Sequence, residues 1–402
     1  MKKNSATQKS EFLSDLPDFS LVLGGPLYQL FRRSHLVGDS LELLSRRLFI
    51  ISGFAWLPLL LLSVFGGSVL GEGVKVPFLH DIEVHVRFLV ALPVLIAAEL
   101  IIHLRLRPVV RQFVERNIVV PEEISKFRAA IESVMRVRNS KAVEIALIVL
   151  VYTVGLWLWK NQTAISSASW YASPDGTNMN LTVAGYWYAF VSLPLFQFIL
   201  LRWYLRIGLW FTFLWKVSRL NLRLIPTHPD RAGGLGFLGQ STYAFGPILF
   251  AQGAMLAGLI ASQIFYGGQN LLAFKLPIVG FLAFIVALVF TPLTVFTAHL
   301  TGARRKGLAE YGKLASGYVR EFEEKWIRGG ASKDEALLGS GDIQSLADLG
   351  NSFGVIQEMR FVPFGWKDVT RLAAAAATPL LPLSLTIFSL AEVVEHLLKV
   401  MF

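Results

Sequence analysis

The fold is decided by residues 277–300, which read PIVGFLAFIVALVFTPLTVFTAHL. This stretch contains no Asp, Glu, Lys or Arg. A helix needs about 20 mostly apolar residues to cross a hydrocarbon core about 30 Å thick. The stretch is therefore long and apolar enough to cross a bilayer. Its prolines, Pro277 and Pro292, do not exclude this, because membrane helices tolerate proline.

Six further stretches meet the same criterion, so about seven transmembrane helices are expected. The last stretch contains Pro379 and Pro382 close together, which leaves two alternatives for it, a full crossing or a re-entrant hairpin. The chain is therefore predicted to be an all-α, polytopic integral membrane protein with short cytoplasmic helices. The apolar stretches are residues 48–70, 88–104, 142–159, 184–205, 244–266, 277–300 and 372–394.

The composition also indicates a membrane protein. Of the 402 residues, 54% are hydrophobic and 16% are charged, against roughly 25% charged in an ordinary globular domain. The absence of cysteine excludes disulfides, thiolate metal sites and cysteine nucleophiles. The amino-terminal segment lacks the short apolar core and cleavage site of a secretory signal, so we expect the first span to be retained.

The basic residues are sorted by connection, although the formal net charge of +10 could by itself suggest nucleic acid as a partner. The connections after the first, third and fifth spans carry one or two Lys or Arg residues each, and the other connections carry many more. Basic connections stay on the cytoplasmic side during insertion. The pattern predicts a cytoplasmic amino terminus in a plasma membrane, the inner membrane of a bacterium, with lipid and no nucleic acid as partner.

A weak internal period accompanies this order. Three descending spans each have a proline followed twelve residues later by an arginine: Pro93, Pro194 and Pro292, then Arg105, Arg206 and Arg304. Repeated two-helix hairpins would explain this, but proline is common within spans and arginine at their cytoplasmic ends. The predicted order is an amino-terminal segment with an interfacial helix (1–47), hairpins (48–104, 142–206, 244–300), cytoplasmic helices (105–141), a connection (207–243), a cytoplasmic helical region (301–371) and a carboxy-terminal membrane segment (372–402).

Ionisable side chains near the cytoplasmic ends of the spans form a predicted polar belt. Charge within a bilayer is costly and is usually either functional or positioned to escape. We expect a structural ion pair, with Arg202 as the partner of one glutamate, in preference to a Glu/His metal or proton site; snorkelling arginines are the remaining alternative. No metal or other cofactor is predicted. The belt comprises Glu99, His103, Glu144, Arg202, Arg206 and His299.

Uncharged polar residues mark the fifth and sixth spans as candidates for lining a pathway. Gln252 and Gln263 are about three turns apart, and Thr291 and Thr294 add hydroxyls to the next span. Such groups need partners, which are either water in a pathway or neighbouring helices. Small residues at four-residue spacing beside Gln252 favour close helix packing equally well.

The connection at 227–239 reads THPDRAGGLGFLG. Its glycines match a dinucleotide-binding fingerprint, but neither the strand before it nor the βαβ unit around it is present in the pattern. His228, Asp230 and Arg231 are candidates for a functional loop that holds an anion or a gating contact. A tight structural turn, in which glycine permits positive φ and Asp230 binds backbone amides, is the competing interpretation.

These features favour a homo-oligomeric channel or transporter-like protein that passes ions or small solutes. Amphipathic stripes in the cytoplasmic helices would control its opening or assembly. Two alternatives remain, a membrane scaffold or sensor that binds a cytoplasmic partner, and an inner-leaflet lipid-handling enzyme that uses Glu99, His103 and Glu144. The absence of a large soluble domain favours a protein that is not an enzyme.

Overall fold

The computed structural model of the chain describes residues 17–26, 28–29, 44–70, 74, 76–162, 169–175, 178–332, 335–337 and 339–386. Within these ranges the chain is predominantly helical, and seven helical segments are long and apolar enough to span a membrane. The prediction of an all-α, polytopic membrane protein is thereby confirmed.

The helices extend beyond the apolar stretches at several of their ends. The second runs over Ile82–Glu115, although its apolar stretch covers only 88–104. The helix continues into these more polar residues because each backbone N–H donates to a carbonyl oxygen one turn earlier in the same helix. That pairing does not require apolar side chains. In chain order the helices are α1 (Leu44–Phe65), α2 (Ile82–Glu115), α3 (Ile124–Arg138), α4 (Lys141–Asn161), α5 (Val183–Val217), α6 (Phe237–Gly267), α7 (Leu271–Ile327), α8 (Gly341–Gln357) and α9 (Trp366–Thr386).

A short antiparallel hairpin lies between α4 and α5. It consists of β1 (Ala172–Asp175) and β2 (Asn178–Leu181), with Ala172 opposite Leu181. The sequence did not predict these strands. They hold the connection against the ends of the helices, where Trp170 is fully buried.

Local distortions accompany the prolines of the descending helices. In α2 a π-helical turn at Val86–Ala91 directly precedes Pro93, and in α5 the turn at Tyr188–Ser192 precedes Pro194. Proline has no amide hydrogen and crowds the preceding turn, so a widened turn accommodates it. In α7 the corresponding proline lies in a 3₁₀ segment instead. The internal repeat stays a prediction.

Helix α6 lies at the centre of the packing. A Cβ atom on Gly253 would come within 1.9 Å of the Ala376 carbonyl oxygen of α9, and one on Gly258 would meet Val86 of α2 at 3.2 Å. The small residues of this helix therefore permit close packing between helices of the same chain.

Helices α3 and α8, which are not among the seven candidate spans, lie at the end of the bundle that is predicted to be cytoplasmic. Helix α7 continues to Ile327, about 40 Å beyond Leu300 at 1.5 Å per residue. Helix α8 packs along this extension, where Asp342 accepts hydrogen bonds from Lys325 and Trp326, both at 2.9 Å. Most of the predicted interfacial helix in 1–47, and the last part of the predicted span at 372–394, lie outside the described residues.

Candidate functional site

A buried charge cluster joins four of the helices near the predicted cytoplasmic ends of their apolar stretches. Glu99 on α2 lies 2.7 Å from Arg206 on α5 and forms a second ion pair with Arg47 on α1. Arg202, one turn before Arg206, lies 3.4 Å from Glu144 on α4. We call these five residues the inner cluster. Arg202 was predicted to pair with Glu99 or Glu144, and its partner is Glu144, whereas Glu99 has two other arginines as partners.

The inner cluster is shielded from the surroundings of the protein. Side-chain exposure is 2% for Arg47, 5% for Arg206 and 12% for Glu99. Charges at this depth require partners, because the cost of desolvation is otherwise several kcal/mol per ion. Three arginines and two glutamates leave an excess of one positive charge, so the cluster can attract an anion.

The amino-terminal segment lies beside the inner cluster, where a Cβ atom on Gly25 would come within 3.2 Å of the Glu144 carboxylate. The Ser20 carbonyl oxygen accepts a hydrogen bond from Arg138 at the end of α3, and the Ser20 hydroxyl lies 3.0 Å from Nδ1 of His103. Burial, aided by the neighbouring Arg206, lowers the pKa of Arg138 to about 10. His103 therefore contacts the amino-terminal segment, whereas Glu99, one turn earlier on α2, pairs with arginines.

A second charged group lies at the opposite end of α2, where Arg87 binds both Glu83 and the hydroxyl of Tyr188 on α5. Beside it, buried Asp81 accepts hydrogen bonds from Trp170 at 2.8 Å and from the Val84 amide at 3.1 Å. Burial raises the pKa of Asp81 despite these bonds. We call this group the outer cluster.

An apolar layer separates the two clusters. Arg87 and Glu99 are twelve residues apart on α2, which corresponds to about 18 Å. Between them Phe88 and Leu92 are fully buried, and Trp203 donates a hydrogen bond to the Leu95 carbonyl at 3.0 Å. The layer therefore closes the interior of the bundle between the charged groups.

The four pathway candidates are dispersed. Gln252 is buried and donates to the Tyr204 hydroxyl at 2.8 Å, whereas Gln263 is exposed three turns away. The hydroxyls of Thr291 and Thr294 donate to carbonyl oxygens of their own helix, both at 2.7 Å. Of the four, Thr291 lines an apolar cavity, together with Tyr204, the hydrogen-bond partner of Gln252.

His299 of the predicted belt has no partner in the inner cluster. Its buried Nδ1 atom has no hydrogen-bond partner among the described residues. It lies on α7, whereas the inner cluster is built by α1, α2, α4 and α5.

The loop at 227–239 is organised around Asp230. Its carboxylate accepts hydrogen bonds from the amides of Ala232 at 2.8 Å, Gly234 at 3.1 Å and Gly236 at 2.8 Å. Burial raises the pKa of Asp230, but these amides and the charge of His228 outweigh it, so the pKa lies below its usual range. The geometry is that of a tight turn.

Two arginines fasten this loop. Arg231 adopts a positive φ of 53° and pairs with Glu358 at 2.8 Å, and Arg360 donates to the Asp230 carbonyl at 2.7 Å. The three loop candidates therefore share one compact turn, in which His228 lies 2.9 Å from Asp230.

Sequence reasoning missed Arg47, Arg87 and Tyr188. Arg47 resembles any basic residue before a first span, and Arg87 resembles one that follows an outer connection. In the sequence, the only sign that these side chains are buried is that each lies within one helical turn of apolar residues. No family model, curated protein or solved structure matches this chain.

Proposed function

We propose that this protein passes ions or small solutes, and anions in particular, across a membrane. The observation that carries the proposal is the placement of two charged clusters on α2 and α5, with an apolar layer between them. Charged groups buried at two depths between the same two helices are energetically unfavourable. Such groups commonly mark ion or substrate pathways in membrane proteins.

The chemistry of the inner cluster suits anion binding. An arginine guanidinium pairs readily with carboxylates and with oxyanions, often through two parallel hydrogen bonds. An arriving anion can replace the Glu99 carboxylate as the partner of Arg206, at little net cost in hydrogen bonds. Because the apolar layer closes the bundle, passage requires α2 and α5 to separate around Phe88 and Leu92.

The topology of the proposal follows the distribution of basic residues. The amino terminus and the inner cluster lie at the cytoplasmic side of a plasma membrane, the inner membrane of a bacterium. Opening from the outside then begins at the outer cluster, where Arg87 ties α2 to Tyr188 of α5.

Assembly into a homo-oligomer is part of the same proposal. Helix α7 extends about 40 Å past the apolar stretch, and on this extension Leu314 is 58% and Ile327 is 71% exposed. Apolar side chains in an aqueous zone favour burial against another surface. Leu314→Glu is expected to reduce the mass measured by light scattering in detergent, with Lys313→Glu as the control.

The same surface supports a second candidate function, a scaffold for a cytoplasmic partner. That alternative predicts that Leu314→Glu abolishes the cellular function. It also predicts that Arg206→Met, which reduces transport, leaves the cellular function unchanged. Measuring both variants in cells against the cellular phenotype separates the two proposals.

The decisive experiment is flux into proteoliposomes. Vesicles containing the wild-type protein are assayed for uptake of chloride, nitrate, phosphate and small carboxylates, with a sodium gradient as the cation arm. We expect anion uptake that falls about tenfold or more in Arg206→Met, a loss of about 1.4 kcal/mol or more of anion interaction. The matched control is Arg320→Met, at an exposed arginine. Absence of flux for every solute would overturn the proposal.

A further inference from the structure

An apolar cavity opens on the lateral surface of the bundle between α5 and α7. Its volume is about 400 Å³, within the range of about 300–1,000 Å³ usual for small-ligand sites. The walls are apolar apart from the hydroxyls of Tyr204 and Thr291. The lining includes Ile207, Gly208, Phe211, Phe284, Ala287 and Leu288.

The cavity faces lipid, because its lining lies in α5 and α7, two of the helices that are long and apolar enough to span a membrane, and its rim is exposed. Helix α5 continues to Val217, past residue 205 where the predicted span ends. Phe211 is 39% and Phe284 is 64% exposed. In a bilayer such a surface is in contact with acyl chains, which are the solvent at this depth. A concave apolar site there differs from the surrounding surface by enclosing a chain on more than one side.

A line of exposed residues leads from this cavity along α5 to a cation just past the end of the helix. Gly208, Phe211 and Trp215 follow one another at spacings of three and four residues, so they lie along one face of α5. Arg219 lies in the turn two residues after α5 ends at Val217. The Arg219 guanidinium stacks over the Trp215 ring at 5.0 Å from its centroid. Tryptophan and arginine are the residues that sit at the level of lipid headgroups.

We propose that this groove binds one phospholipid with an anionic headgroup. Its acyl chain occupies the cavity between Gly208 and Ala287, and its phosphate lies at Arg219. The separation fits, since Gly208 and Val217, the last residue of α5, are about 14 Å apart along the helix, and Arg219 follows two residues later. Charge complementarity at Arg219 favours an anionic lipid as the occupant, because a sterol or another uncharged lipid would leave that cation without an anionic partner.

The site is tested by photolabelling in nanodiscs that contain phosphatidylglycerol with a diazirine in its acyl chain. Labelled peptides from 204–211 and 284–292 are quantified by mass spectrometry. Gly208→Trp fills the cavity, since a Cβ there meets nothing within 4 Å. We expect labelling of both peptides to fall about tenfold. Gly280→Trp is the control, at an exposed glycine of α7 whose Cβ also meets nothing within 4 Å.

A second variant distinguishes filling of the cavity from a folding defect. Ala287→Phe fills the same space from the opposite wall and is expected to reduce labelling in the same way. Arg219→Ala is expected to abolish the preference for phosphatidylglycerol over phosphatidylcholine without abolishing labelling. Equal labelling in wild type, Gly208→Trp and Ala287→Phe would overturn the site. An unchanged lipid preference in Arg219→Ala would overturn the assignment of the headgroup.

Discussion

The Glu99 carboxylate on α2 lies 2.7 Å from the Arg206 guanidinium on α5, although 107 positions separate them in the chain. The same carboxylate pairs with Arg47 on α1. One side chain thus joins three spans at a depth where charge is expensive. Loss of that side chain affects both the packing of the bundle and the charge available to a passing anion.

Glu99→Gln is expected to destabilise the protein by about 3–5 kcal/mol, because the charge that Arg47 and Arg206 share is removed from a buried site. Thermal unfolding in detergent, followed by size-exclusion fluorescence, measures the shift. The control is Glu310→Gln, since Glu310 is 61% exposed and lies 3.8 Å from Lys306. Equal melting temperatures for Glu99→Gln and wild type would contradict the assignment.

Replacing the whole triad separates stability from transport. The variant Arg47→Met/Glu99→Met/Arg206→Met is expected to recover most of the stability that Glu99→Gln loses, because apolar groups of similar volume often substitute for buried ion pairs at no net cost. Anion flux is expected to remain absent, since the binding charges are gone. A stable triple variant with wild-type flux would show that the inner cluster serves packing alone.

Asp230→Ala is expected to destabilise the loop by about 3 kcal/mol, because three backbone amides lose their acceptor. The folded pKa of Asp230 lies below 3.8, so its contribution is complete above about pH 4 and is lost as the pH falls through the folded pKa. Proteolysis of the loop between pH 2.5 and 7, against Asp348→Ala as an exposed control, measures both effects. Unaltered protection in Asp230→Ala would refute this account.

Asp81 predicts the opposite pH dependence. Burial raises its folded pKa above the ordinary value of 3.8, so the folded state binds more protons and stability falls as the pH rises from about 4 through the folded pKa. In Asp81→Asn this decline is expected to disappear. The test compares melting temperatures of wild type and variant across pH 4–8, and parallel curves would contradict it.

Gly253→Leu is expected to force α6 away from α9, because a Cβ would lie 1.9 Å from the Ala376 carbonyl oxygen. Overpacking typically costs about 1–3 kcal/mol and more where backbone must move. Gly280→Leu serves as the control, since its Cβ meets nothing within 4 Å. Leucine favours a helix over glycine, so the melting temperature should fall only in the first variant. An equal fall in both would contradict the steric account.

Much of the fold could be predicted because each span carries its own signal. The run at 277–300 is apolar enough to require a bilayer wherever its neighbours lie, and α7 contains it. Helix ends were less predictable, since α2 begins at Ile82 on residues that read as an exposed connection. The strands at Ala172–Asp175 and Asn178–Leu181 depend on packing beneath them, which a sequence pattern does not show.

The sequence predicted which charged residues lie in the spans and one of their ion pairs, that of Arg202 with a glutamate, but not the partners of Glu99. The costs of charge in lipid identified Glu99, Glu144, Arg202 and Arg206 from their positions along single helices. Arg47 was missed as the second partner of Glu99, because the choice of partner depends on which helices lie side by side.

The sequence by itself determined that this chain forms apolar helices with their charges near the ends of the apolar stretches. That result follows from local free energies, the transfer of apolar residues into lipid and the pairing of backbone amides within each helix. Only the tertiary structure decided that Arg206 pairs with Glu99, that Gly253 contacts Ala376 and that a groove opens between α5 and α7. Those contacts depend on side-chain shape between helices far apart in sequence, because lipid tails solvate apolar helix faces nearly equally and leave packing and polar contacts to select the neighbours.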